Sequence, residues 1–303
     1  MRTTITAESG LIWESFVQPE AAELAELVRD TNLTAADAEF LVQDYHRPEV
    51  TVRDEYLLIH IHVPAFDRRN RVTRGVSLYF IAKDNHLWTV SHEVIVNLDQ
   101  LLRDFKAADE VREEYFASGP LALALHIVGE MHSGAFHKLE RLSKHVDIAE
   151  DAIFQGNERK MGEEVSMLMR DVMDFRKVIR LQTSLFDTIP EHDLITAEIR
   201  LQWRRSHNQT LKLWDVLEGL YETVKELTVT NTSMLQHKEN ELLRLLTIYS
   251  VIVIPVLVLV DPFFAPGADD AGLSDRVAFG VVLVVLLGTL AFIFARSKKK
   301  RLL

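Results

Sequence analysis

The chain has 303 residues, of which 48% are hydrophobic and 26% are charged, and its formal net charge at pH 7 is −11. It contains no cysteine, which excludes disulfides and thiolate metal sites. The acidic balance argues against a nucleic-acid partner, because nucleic-acid-binding domains carry an excess of basic residues.

The first 120 residues predict an α/β domain. Helical patterns cover Ala21–Val28 and Thr34–Gln43, with Thr34 as the N-cap of the second helix. Runs of β-branched and aromatic residues predict strands at Tyr56–Val63, Val76–Ala82 and His86–Val90. Asp84-Asn85 favours a tight turn, so the last two strands should form a hairpin.

Residues 121–244 predict a helical hairpin followed by a long stalk helix. The hairpin is expected to contain helices at Leu121–Phe154 and Met161–Phe186, joined by a turn at residues 155–157. Pro190 breaks the second helix, and a third helical run begins near His192. No strong breaker follows before Pro255, so this helix should continue into the next segment.

Residues 245–303 contain two apolar segments, at 245–264 and 277–295. About 20 predominantly apolar residues suffice for a helix to cross a bilayer, and Asp261 is the only charged residue in either segment. The loop APGADDAGLSDR lies between them, and the basic run SKKKR follows the second. Because basic residues favour the cytoplasmic side, we expect a multi-pass protein of the cell inner (plasma) membrane, in contact with the lipid bilayer and with both termini cytoplasmic.

A partly polar stripe runs along the first predicted membrane helix. A heptad frame that starts at Asn240 selects Asn240, Leu243, Thr247, Ser250, Ile254, Leu257, Asp261 and Phe264. Polar side chains in membrane helices usually face protein or water. Several copies around an axis would therefore make the stripe a pore lining. The alternative is a helix–helix contact within a non-conducting oligomer.

Four features of the chain point to a known family. HRPEVTVRDEYLLIHIHVP leads through a proline into a hydrophobic strand, and SLYFIAKDNHLWTVSHE forms the predicted hairpin. NELLRLLTIYSVIVIP joins the stalk to the membrane, and the two C-terminal helices precede a basic run. Together these features resemble the CorA family of magnesium and other divalent-cation transporters, which includes the zinc transporter ZntB.

The resemblance implies an α+β protein that is not an enzyme and needs no cofactor. Its expected parts are an N-terminal α/β cytoplasmic domain, a long helical stalk and two C-terminal transmembrane helices, assembled as a CorA-like homopentamer. The first membrane helix would line the pore for inorganic cations. Leu243, Ile254 and Leu257 would form apolar collars that close the pore by dewetting. A transported or regulatory divalent cation is implied as well.

Two departures from the family pattern stand out. The family carries Gly-Met-Asn at the outer end of the first membrane helix, where this chain reads Phe264-Ala265-Pro266, and the motif occurs nowhere else. This argues against strict magnesium selectivity, since Mg²⁺ holds its water shell tightly and is bound through oxygen ligands. In the stalk, Arg204 and Arg205 stand in the region where the family carries a regulatory carboxylate. Inhibition by bound magnesium in the usual manner is therefore not expected.

Acidic residues at the outer mouth are the candidate substitutes for the missing motif. In a pentamer, Asp261 would form a ring of five carboxylates that concentrates cations. The alternative is a turn residue before Pro262. Asp269 and Asp270, together with Phe264, complete the expected outer mouth. For the two aspartates a solvated loop is the simpler interpretation.

The twelve histidines raise the possibility of zinc, but none has the spacing of a strong zinc-ligand motif, so no metal site is assigned. The leading interpretation is a pentameric channel or transporter that passes Mg²⁺ or another divalent cation with low selectivity. Two alternatives stay open: a non-conducting pentameric scaffold or regulator, and a ZntB-like zinc transporter.

Overall fold

The computed structural model describes residues 1–42, 47–67 and 72–264, together with Val277, Gly280, Val284 and Gly288. The chain divides into two units, Met1–Thr232 and Ser233–Leu303.

A six-stranded sheet forms the centre of the first unit. Its strands are β1 (Arg2–Thr6), β2 (Ile12–Val17), β3 (Glu49–Val52), β4 (Leu57–Asp67), β5 (Val72–Lys83) and β6 (His86–Ser91). Their order across the sheet is β1-β2-β6-β5-β4-β3. Only the β2–β6 pair is parallel. The three predicted strands are confirmed, as is the hairpin of β5 and β6, in which Lys83 faces His86 and Asp84 takes a φ of 49°.

Helices α1 (Ala21–Thr31) and α2 (Ala35–Val42) cover one face of this sheet. These helices contribute Leu27 and Leu41 to a buried apolar cluster with Phe16, Tyr79 and Trp88 from the strands. The predicted N-cap of α2 is confirmed, because the Thr34 hydroxyl accepts the backbone N–H of Asp37 at 3.3 Å.

Four further helices cover the other face. They are α3 (Val96–Ala107), α4 (Asp109–Phe116), α5 (Pro120–Ala152) and α6 (Glu158–Arg180). A π-helical turn at Ile153–Asn157 joins α5 to α6, and Gly156 takes a φ of 92° there. This position favours glycine, since a Cβ strains the backbone at positive φ. The predicted hairpin of helices and its turn are thus confirmed.

Helix α6 ends at Arg180, six residues before the predicted end at Phe186. The side chain of Gln182 donates a hydrogen bond to the backbone carbonyl of His62 at 2.8 Å, which ties the following turns to β4. These turns bury Phe186, whose backbone carbonyl accepts the Trp203 indole N–H at 3.2 Å. Packing of the turns against the core replaces the helical hydrogen bonds that the sequence pattern predicted.

Helix α7 spans Ala197–Phe264, a run of 68 residues. It begins five residues after the predicted start and continues through Pro255, as predicted. In the first unit, α7 buries a stripe at helical spacing that includes Trp203, Thr210, Leu213 and Leu217. This stripe packs α7 onto the helices that cover the sheet.

Candidate functional site

The predicted pore-lining residues lie on the C-terminal part of α7. Counted at 100° per residue, the positions from Asn240 to Phe264 fall within roughly 120° of the helix circumference. Asn240, Leu243, Thr247, Ser250 and Ile254 are described with their side chains. For Leu257, Asp261 and Phe264 the structure describes the helical backbone alone, and Asp269 and Asp270 lie outside the described residues.

Apolar side chains are exposed all around this part of α7. Seven residues between positions 242 and 254 are more than half exposed: Leu242, Leu243, Leu245, Leu246, Tyr249, Val251 and Ile254. Single exposed apolar residues are common on protein surfaces, but a continuous apolar surface marks contact with lipid or with other protein chains. Arg244 is the one charged residue between positions 242 and 254, and the remainder of the segment presents an apolar interaction surface.

The two hydroxyls of the stripe bond to their own helix. Thr247 Oγ1 donates to the Leu243 carbonyl and Ser250 Oγ donates to the Leu246 carbonyl, both at 2.8 Å. These i−4 bonds satisfy the hydroxyl protons within the helix. The oxygen lone pairs remain able to accept hydrogen bonds from water or another donor on the same face.

Across the part of the chain that the structure describes, no helix has both the length and the apolar character that a bilayer crossing requires. Of the second predicted segment, 277–295, only four residues are described. The two membrane segments therefore stay predictions.

Several histidines of the first unit pack against other aromatic rings. His60 stacks on Tyr79 with ring centroids 4.3 Å apart, and its ring lies 4.9 Å from that of His62 on the same face of β4. His126 stacks on Tyr115 at 3.9 Å. Among the described residues, no three His, Asp or Glu side chains lie close enough together to hold a metal ion.

His132 joins α5 to α7 through polar contacts in the core. Its Nε2 lies 3.2 Å from Thr210 Oγ1, and its Nδ1 lies 3.4 Å from Gln209 Oε1. The Thr210 hydroxyl also donates to the Ser206 carbonyl at 3.0 Å. Burial away from water lowers the pKa of His132 to about 4, so this imidazole is neutral at physiological pH.

A buried charged cluster that the sequence pattern did not predict ties β5 to both helices of the hairpin. The Lys138 ammonium donates to the Thr73 hydroxyl, which donates to Asp171, and the Lys138 and Asp171 charges are 3.8 Å apart. The rings of Phe66 and Phe175 lie 5.1 and 5.0 Å from the ammonium. A lysine on the apolar face of α5, one turn from buried Ala135 and Leu142 at helical spacing, was the one available signal.

Burial lowers the pKa of Lys138 from 10.5 to about 8, against the opposing effect of Asp171. Below pH 8 both folded and unfolded chains hold the proton, so the cost of the buried charge is fully present. Between about pH 8 and 10.5 the unfolded chain retains a proton that the folded chain has released. We therefore expect the stability of the wild type relative to Lys138→Met to rise across this window, as measured by chemical unfolding at each pH. A flat or falling difference would contradict the buried position of the ammonium.

The family model described as a CorA-like Mg²⁺ transporter protein matches residues 8–260. The chain belongs to the CorA family. Over 267 residues it is 21% identical to the cobalt/magnesium transport protein CorA of Thermotoga maritima, a match that covers 87% of this chain and 74% of that protein.

Solved structures of this kind share the fold. The complete CorA magnesium transporter of Methanocaldococcus jannaschii matches this CorA-family chain with a TM-score of 0.79 at 20% identity, over 95% of this chain and 90% of that one. The full-length CmaX protein matches with a TM-score of 0.67 at 14% identity, over 95% and 88% of the two chains. At these identities the likeness concerns the fold, including the long C-terminal helix.

The family match ends at residue 260, immediately before Asp261. The departure from Gly-Met-Asn follows within the next six residues, at Phe264-Ala265-Pro266.

Proposed function

We propose that this CorA-family chain is the subunit of a homopentameric membrane channel or transporter for cations, with α7 lining the pore. The observation that carries the proposal is the continuous exposed apolar surface of α7 between Leu242 and Ile254, with the hydroxyls of Thr247 and Ser250 on one stripe. Family membership supports transport as the activity. An apolar helix with a single partly polar stripe suits a position between lipid or protein on one side and a water-filled axis on the other.

The proposed location is the cell inner membrane. Helices at 245–264 and 277–295 would cross the bilayer, and the basic run SKKKR would hold the C-terminus in the cytoplasm. Two crossings place the N-terminal unit in the cytoplasm as well.

Passage of ions is proposed to be passive and to involve a hydrated cation. Because Thr247 and Ser250 donate their protons to their own helix, their oxygens can accept hydrogen bonds from the water around the ion. Leu243, Ile254 and Leu257 would form apolar collars that block flow when they exclude water. Weak selectivity among divalent cations follows from the absence of the asparagine of the family motif.

A non-conducting pentameric scaffold or regulator is the second candidate, and the missing Gly-Met-Asn motif favours it. Reconstitution of the purified full-length chain into liposomes, with influx of Mg²⁺, Co²⁺, Zn²⁺, K⁺ and Cl⁻ compared, separates the candidates. The channel proposal expects influx of divalent cations well above that of Cl⁻. Absence of flux for every ion would support the scaffold, and Zn²⁺ uptake that requires a proton gradient would support a ZntB-like transporter.

Asp261→Asn should lower cation influx about two- to tenfold at low ionic strength, because the ring of carboxylates would no longer concentrate cations at the mouth. The effect should shrink as salt is added, since salt screens the ring. Asp270→Asn in the predicted external loop serves as the matched control and should change influx less. Equal influx through Asp261→Asn and wild type at low salt would leave Asp261 as a turn residue.

A further inference from the structure

Helix α7 carries an exposed basic face in the first unit. We define this face by Arg200, Arg204, Arg205 and Lys212, with Asn208 between them, and all five side chains are exposed. None of the four cations forms an ion pair or a side-chain hydrogen bond with any residue that the structure describes, whereas Arg176 and Lys225 of the same unit pair with Glu218 and Glu222. The basic face is thus a concentration of unpaired positive charge on a chain whose net charge is −11.

Helix energetics do not explain the basic face. The N-terminal end of a helix carries a partial positive charge, which disfavours Arg200 in the first turn of α7. Arg200 and Arg204 are four residues apart and repel each other along the helix. A binding partner with negative charge would remove both costs.

The shape of the basic face suits a protein surface better than an enclosed small ion. The shallow groove along it is lined by α7 residues alone, including Arg204, Asn208 and Lys212. No second element closes over that groove within the part of the chain that the structure describes. A single convex helix presents its charges over several turns, which matches another extended surface.

This chain itself carries an acidic surface of that kind, which we call the acidic edge. It consists of Glu110 and Glu114, one turn apart on α4, and Glu130 on α5, and all three are exposed. None forms an ion pair or a side-chain hydrogen bond with a described residue. Their charges are therefore as available as those of the basic face.

The two surfaces do not neutralise each other within one subunit. A groove of about 460 Å³ separates α4 and α5 from α7, with Glu114 and Glu130 on one wall and Arg205 on the other. No ion pair between described residues crosses this groove. A closed ring of identical subunits uses head-to-tail contacts, in which two different surfaces of each subunit meet. The basic face and the acidic edge are such a pair, because they are opposite in charge and neither pairs with a residue that the structure describes.

We propose that the basic face of α7 binds the acidic edge of a second copy of this chain through direct salt bridges that need no metal ion. This inference rests on the oligomer of the proposed function. It specifies which surfaces meet between subunits and what kind of force holds them. Ion pairs of this kind weaken as ionic strength rises.

Charge reversal in the full-length chain, purified in detergent micelles, tests the contact. Arg200→Glu with Arg204→Glu should raise the subunit concentration for half-assembly about tenfold or more, because like charges then face each other. Glu110→Lys with Glu114→Lys should do the same, and all four changes together should restore assembly.

The matched control is Arg141→Glu with Arg170→Glu, which reverses two exposed cations elsewhere in the first unit and should leave assembly unchanged. Sedimentation velocity gives the assembly state, and tryptophan fluorescence verifies that each variant is folded.

Two additional measurements test whether direct salt bridges hold the contact and whether the partner is a second copy of this chain. Wild-type assembly should persist in EDTA and weaken between 0.1 and 0.5 M NaCl. Because the chain has no cysteine, introduced cysteines can report contacts between subunits. The double variant Arg204→Cys with Glu114→Cys should form disulfides between subunits. The control variant Arg204→Cys with Glu140→Cys should form none.

The proposal is overturned if folded reversed variants assemble as the wild type does, or if the fourfold swap fails to restore assembly. Disassembly in EDTA would replace direct salt bridges by a metal bridge. Loss of heparin binding with unchanged assembly would assign the basic face to a polyanion instead. Failure of the interface and failure of the proposed function give different results. A chain that assembles as expected but passes no ion would support the interface and contradict the channel.

Discussion

Asp171→Ala lowers the free energy of unfolding of the first unit by about 3–5 kcal/mol, the range for breaking a buried ion pair from one side. The substitution leaves the buried Lys138 ammonium with the Thr73 hydroxyl and two aromatic faces, and without an opposing charge. All four tryptophans of the chain, at positions 13, 88, 203 and 214, belong to this unit. Urea titration followed by tryptophan fluorescence therefore reports its unfolding in the full-length protein.

An exposed pair on the same helix provides the control for this prediction. Lys144 and Glu140 on α5 form an ion pair at 2.8 Å, with both side chains more than 60% exposed. Because solvent screens such pairs, Glu140→Ala should leave the unfolding midpoint nearly unchanged. The double variant Lys138→Met with Asp171→Leu should recover most of the lost stability, since well-packed apolar residues can replace a buried pair. A small loss in Asp171→Ala would mean that water reaches the ammonium in solution.

The sequence predicted those elements whose patterns are local. The hairpin of β5 and β6 has an apolar run on each side of Asp84-Asn85, and α7 has no breaker before Pro255. By contrast, β1 and β3 are short edge strands with largely polar or exposed side chains, such as those in RTTIT and EVTV. Strand β2 gains its place by pairing with β6, more than 70 residues away. No local pattern encodes a pairing across that separation.

The same distinction applies to the candidate site. The stripe on α7 follows from helical spacing alone, so Asn240, Leu243, Thr247, Ser250 and Ile254 could be grouped from the sequence. The contacts of Lys138 with Thr73 and of Thr73 with Asp171 join residues 65 and 98 positions apart, and they depend on how α5 and α6 pack on the sheet. Charge pairing is equally hidden: the sequence shows Arg204 and Arg205, but only the structure shows that no described residue neutralises them.

Leu243→Ser should raise basal cation leak into proteoliposomes about tenfold or more. Exchange of a leucine for a small polar residue removes about 2 kcal/mol of apolar transfer free energy in each subunit. A tenfold change in rate needs a change of about 1.4 kcal/mol in the free-energy barrier. Because several subunits form the collar, the barrier to hydrating it should fall by at least this amount even if each subunit contributes only part of its roughly 2 kcal/mol. The leak should appear for K⁺ as well as for Mg²⁺, since a hydrated constriction discriminates poorly between cations.

Leu245→Ser is the matched control, because Leu245 is the same residue type two positions away and has the same 59% exposure in the subunit as Leu243. At 100° per residue the two side chains point about 160° apart around α7. Leu245 therefore faces away from the stripe, towards lipid or a neighbouring helix. Its replacement by serine should reduce the yield of folded protein more than it changes flux. Equal leak through both variants would show that the chosen face does not line the pore, while leak through Leu245→Ser alone would place the axis on the opposite side of the helix.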